Sequence, residues 1–110
     1  MTGIMTTFDE REKEFEARFK HDEEFRFKVA ARRNRLFGLW AAERLGLAGG
    51  AAEAYAREVI NAQFAPGGDQ NVVAKVAADL GPRDPAMTPE RIRFELEHFA
   101  GQAKQQLMRE

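Results

Sequence analysis

The sequence predicts an all-α fold: a four-helix bundle with an additional N-terminal segment, mobile or helical. Three observations carry that expectation. Alternating β-branched runs, the mark of a half-buried strand, are missing. Apolar residues recur at helical spacing in several stretches. Short clusters of Gly, Pro and Asp punctuate those stretches. The chain has 110 residues, 44% hydrophobic and 32% charged, which suits one small soluble domain with a thin core.

The first helical region spans residues 7–45. Thr7 suits an N-cap and Glu10 stands three residues later, a capping box. At 100° per residue Phe8, Phe15 and Phe19 fall within about 40° of one another. Continued, the same face meets Asp22, Glu23 and Arg26, so the apolar stripe fails. A second, rotated stripe then starts with Phe25, Val29, Leu36 and Trp40. The region therefore divides into two functional helices around residues 20–23. The expected division of the chain is an N-terminal segment, residues 1–21, and a four-helix bundle, residues 22–110.

The second bundle helix is expected over residues 51–63, with Ala52, Tyr55, Ala56, Val59 and Ile60 on its apolar face. "APGGD", residues 65–69, breaks it. Asp69 then reads as the N-cap of a shorter helix burying Val72, Val73, Val76 and Leu80, which "GPRDP" stops at residues 81–85. Thr88, Pro89 and Glu90 supply an N-cap, a proline in the first turn and an acid for the last helix. Its seam is Ile92, Leu96, Phe99, Ala103 and Leu107.

Composition excludes much chemistry. Without cysteine there is no disulfide, thiolate metal site or cysteine nucleophile, and without serine no serine triad. No P-loop or dinucleotide fingerprint occurs; "GLAGG" follows a helix and reads as a turn. His21 and His98 are too few and too far apart for a zinc motif. His21 with Asp22, Glu23 and Glu24 reads as a solvated face rather than a metal site. No enzyme, metal or cofactor is expected. A net charge of −1 with pI near 6.2 argues against nucleic acid. No apolar run approaches membrane-spanning length, and "MTGIMTT" lacks the pattern of a secretory signal, so a cytoplasmic protein without direct membrane insertion is expected.

Charge is nonetheless unevenly placed. Residues 9–24 hold eight acids and four bases; residues 26–44 hold six bases and one acid. Within the basic part stands "RRNR". Arg32, Arg33 and Arg35 are candidates to hold a phosphate or nucleotide, set against the plainer reading of a basic helix end that complements its macrodipole and neighbouring acids. A small helical nucleotide- or phosphate-binding sensor is thus the alternative function. The Phe8, Phe15 and Phe19 stripe likewise has two readings: an extra helix packed on the bundle, or a helix whose anchors bury in a partner groove.

The stretch "MTTFDEREKEFEARFKHDEEFRFKVAARRNRLFGLWAAERLG", residues 5–46, resembles the zeta inhibitor subunits of alphaproteobacterial F-type ATP synthases. "AYAREVINAQF" and "GGDQNVVAKVAADL" resemble that family's second and third helices, whereas the stretch from Gly81 diverges more and Met1 to Ile4 precede the usual start. The resemblance implies a non-enzymatic inhibitor whose N-terminal helix enters a catalytic interface of the head and blocks rotation and ATP hydrolysis. It implies Phe8, Phe15 and Phe19 as apolar anchors, Thr7 as the start of the segment, and Asp9, Glu10, Arg11, Glu12 and Arg18 as polar contacts. The implied partner is the head with its alpha, beta and gamma subunits, which places the protein in the cytoplasm, peripheral to the inner membrane.

Overall fold

The computed structural model describes residues 23–110. Among them are four helices and no strand: α1 Glu23–Arg44, α2 Gly49–Ala62, α3 Asp69–Leu80 and α4 Pro89–Arg109. They run up, down, up and down. Arg32 meets Glu110 past the end of α4 while Arg44 approaches Asp84 before its start, so α1 and α4 are antiparallel. Tyr55 meets Asp79 and Glu58 meets Lys75, which makes α2 and α3 antiparallel too. Helix α1 touches all three others, whereas α2 and α4 lie diagonally opposed and do not touch. Residues 1–22, with every candidate partner-binding residue from Thr7 to Phe19 and with His21 and Asp22, lie outside the described residues. None of the described helices is long and apolar enough to cross a membrane.

Each helix follows from local chemistry. Arg44 in the last turn of α1 complements the macrodipole. Thr88 caps α4 as expected: its Oγ1 accepts from the Arg91 N–H at 3.2 Å, and Pro89 occupies the first turn. Helix α2 begins at Gly49, two residues before the expected start. The expectation for Asp69 is corrected. Gly68 occupies the capping position and Asp69 is the first residue of α3. Its carboxylate turns to Arg33, because a charged guanidinium fork is a stronger donor to it than a backbone N–H.

The core is drawn from all four helices. Phe37, Val59, Val72, Val76, Leu80 and Ile92 are fully buried, joined by Tyr55, Leu96 and, from the loop before α4, Met87. Helices α2, α3 and α4 bury the faces their periodicity predicts, with Ala52, Ile60, Phe99 and Leu107 half-buried at the edges. Helix α1 departs from its prediction. Phe25, Val29, Leu36 and Trp40 are only half-buried, and the buried face is Asn34, Phe37, Gly38, Ala41 and Ala42. A helix touching three neighbours buries a wide arc, and its centre is held by small residues that let α2 come close. At Gly38 an added Cβ would stand 2.8 Å from the Ala56 Cα. Large side chains flank that contact. Trp40 stacks on Phe37 at 5.7 Å, meets the Phe99 ring at 6.1 Å and carries the Arg44 guanidinium over its outer face at 4.9 Å.

Candidate functional site

The motif "RRNR" lies in the middle of α1, where successive residues point to different sides of the helix. Its four side chains therefore reach three different elements. Arg32 pairs with Glu110 at 2.8 Å and donates to the Gln106 Oε1, tying α1 to the end of α4. Arg33 forks onto both oxygens of Asp69, at 2.8 and 3.4 Å, tying it to the start of α3. Arg35 pairs with Glu53 of α2 at 2.9 Å. Asn34, 1% exposed, donates from Nδ2 to the Gln63 Oε1 at 3.0 Å and accepts from the Arg33 Nε at 3.0 Å. Every buried side-chain polar atom among the described residues has a partner.

Arg33, Asn34, Gln63 and Asp69 thus form one closed network. Gln63 is its hub: its Oε1 accepts from both Arg33 and Asn34, and its Nε2 donates to Asp69 at 3.0 Å. Hydrogen bonding from Arg33 holds the Asp69 carboxyl below the usual carboxylate range; partial burial opposes this, and the Gln63 donor adds to it. As a phosphate site the three arginines have a cost. Each guanidinium already holds a carboxylate, and the three diverge onto three helices. Of them Arg33 alone lines the cleft of about 270 Å³ between α3 and α4, where Arg93 and Glu97 also stand.

A second polar cluster joins α2 to α3. The Tyr55 hydroxyl donates to Asp79 at 2.8 Å, and Lys75 stands 3.3 Å from both Asp79 and Glu58. Burial, then Asp79, pushes the Tyr55 hydroxyl far above its ordinary pKa. Burial pulls Lys75 down, but the two carboxylates outweigh it and raise it. Two carboxylates share one ammonium here, and these contacts join the two helices. No group of three or more metal-ligating side chains occurs among the described residues. His98 meets Gln102 and the edge of Phe99.

Sequence reasoning missed three exposed aromatics: Phe94 of α4, 60% exposed with the Arg91 guanidinium 5.6 Å over its ring, and two that form a pair. Phe27 is 62% exposed in the second turn of α1, and Phe64 is 66% exposed just past α2. Their rings touch, with centroids 6.1 Å apart and planes tilted by 41°. A signal was present for Phe27, which at 100° per residue lies opposite the stripe of Phe25, Val29, Leu36 and Trp40, but not for Phe64, which follows Ile60 by four positions and stands directly before "APGG".

Phe64 is held by two clamps. On one side Gln63 sits in the Arg33 network. On the other the Asn71 Nδ2 donates to the carbonyls of Ala65 and Pro66, at 3.1 and 2.8 Å. Gly67 and Gly68, at φ 112° and 52°, supply the left-handed backbone that turns the chain into α3.

Residues 5–106 match the family model described as ATPase inhibitor subunit zeta. No curated protein and no solved structure matches the chain.

Proposed function

The chain belongs to the ATPase inhibitor subunit zeta family, and from that premise we propose that it blocks an F-type ATP synthase by seating residues 7–19 at a catalytic interface of the head. The observation that carries this reading is the extent of the family match. It begins at residue 5 and continues to residue 106, so the phenylalanine-bearing segment and the bundle belong to one inhibitor. The bundle adds support: four helices sharing one core and stitched together by "RRNR" make a firm body from which a segment can be presented.

The physics is that of a wedge. A rotary catalytic cycle requires its interfaces to open and close in turn. A helix bound better to one conformation of an interface than to the others shifts the population to that conformation, by its differential affinity and no more. Moving an equilibrium from 1:99 to 99:1 takes about 5.5 kcal/mol of such preference. Phe8, Phe15 and Phe19, which helical spacing would put on one face, are anchors of the size that can supply it; buried aromatic anchors are commonly worth ~2 kcal/mol or more each. Thr7, Asp9, Glu10, Arg11, Glu12 and Arg18 supply polar contacts around them. The role is non-catalytic, and the partner surface lies in the head's alpha, beta and gamma subunits.

Removal of residues 1–19 tests the reading. Hydrolysis of ATP by the head should be inhibited by the full chain and not by the shortened one, while circular dichroism and melting show the shortened chain still folded. Full inhibition by the shortened chain would refute the wedge.

A further inference from the structure

Phe27 and Phe64 form an aromatic pair that the bundle presents rather than buries. Two touching phenylalanines, each more than half exposed, are an apolar patch of the kind that marks a protein interface. The loop bearing Phe64 is fixed from both sides, by Gln63 in the Arg33 network and by Asn71 beneath the Ala65 and Pro66 carbonyls. A ring held out by such a support loses little freedom on binding, and that is how binding anchors gain affinity.

Chain connectivity says where this patch acts. Phe27 follows Phe19 by eight positions, so the two are at most about 28 Å apart in any conformation of the chain. An interface of standard size covers ~800 Å² per partner, roughly 30 Å across. Phe27 and Phe64 therefore fall within one ordinary footprint of the segment's last anchor. Resting on the inhibitory reading above, we propose that the Phe27–Phe64 pair is a second docking point on the same catalytic head, seated on an apolar surface beside the interface that takes residues 7–19. Two linked contacts raise the effective concentration of each, so the patch slows release of the wedge without itself blocking the cycle.

The test uses the full chain and a purified ATPase head. Phe64→Ala and Phe27→Ala should each weaken inhibition about 10- to 30-fold. Complete inhibition should survive at saturation, and melting should not change, because truncating an exposed ring costs the fold little. Unchanged inhibition in both variants overturns the proposal. So does tighter inhibition, which would mean that the patch covers the chain's own segment when free. A concentration-dependent dimer that Phe64→Ala dissociates, with inhibition unaltered, would assign the patch to a second copy and overturn it too. Phe15→Ala and Phe19→Ala separate this proposal from its premise. If they abolish inhibition while the Phe64 and Phe27 variants behave as the parent, only the second docking point fails. If they change nothing, the segment reading itself fails.

Discussion

Arg33 spends its whole fork inside the protein. It bonds Asn34, Gln63 and Asp69, and the depressed pKa of Asp69 records that attachment. A carboxyl whose folded pKa lies below its unfolded value stabilises the fold above the unfolded value, near 4, and that contribution is lost as pH falls through the folded pKa. Asp69→Asn should therefore be less stable than the parent at pH 7, and the gap should close as the solution is acidified below about pH 4. Urea melts of both proteins across pH 7 to 2 read this directly; a gap independent of pH would deny the ion pair its role. Gly38 acts through what it lacks. Its hydrogen faces the Ala56 Cα, a backbone atom with no rotamer to yield. Gly38→Val must push α1 from α2 and should cost about 2 kcal/mol, within the range for overpacking a core. Loss of urea stability at that scale is the expected measurement, and a neutral variant would show that the two helices part freely.

At the scale of elements, α4 depends on a cap and α1 on its ties. Thr88 satisfies one of the first amides of α4, the Arg91 N–H. Thr88→Ala should cost about 1 kcal/mol and Thr88→Ser should restore most of it. Thermal melts distinguish that pattern from a packing role for the threonine methyl, which serine would not rescue. The "RRNR" stretch joins α1 to α2, α3 and α4 within four residues. Exposed ion pairs contribute little singly. The Arg33–Asn34–Gln63–Asp69 network differs, since Asn34 is buried and would be left unsatisfied without it. Its consequence lies in the α2–α3 junction, where it fixes the residue next to Phe64.

For the molecule as a whole, the bundle is the body and the first 19 residues are the proposed working part. The proposed division makes a sharp prediction: inhibition and fold stability should respond to different mutations. Phe15→Ala and Phe19→Ala should weaken inhibition of the head by ~30-fold or more, with urea midpoints like the parent's. Glu16→Ala, which helical spacing would set apart from the three phenylalanines, should change neither. Inhibition constants and melts on the same preparations decide it; early melting with unchanged inhibition would place those rings in the core.

Much of this was written in the sequence. The helix number, the cap at Thr88 and the buried faces of α2, α3 and α4 follow from local propensity and period, because each such helix buries a single apolar stripe. The family was legible in residues 5–46 for another reason, a run of particular side chains rather than a pattern of hydropathy. What tertiary structure alone decided was the rotation of α1. Hydropathy favours Phe25, Val29, Leu36 and Trp40, but three neighbours must fit around one helix. Close approach then selects Gly38, Ala41 and Ala42 for the centre, where small size counts for more than apolarity. The partners of "RRNR" were equally hidden, since Glu53, Asp69 and Glu110 come to Arg35, Arg33 and Arg32 only after the chain has folded back three times. The exposure of Phe64 belongs with them: a phenylalanine before a loop looks like core in one dimension, and only the packed junction shows that nothing in the described bundle covers it.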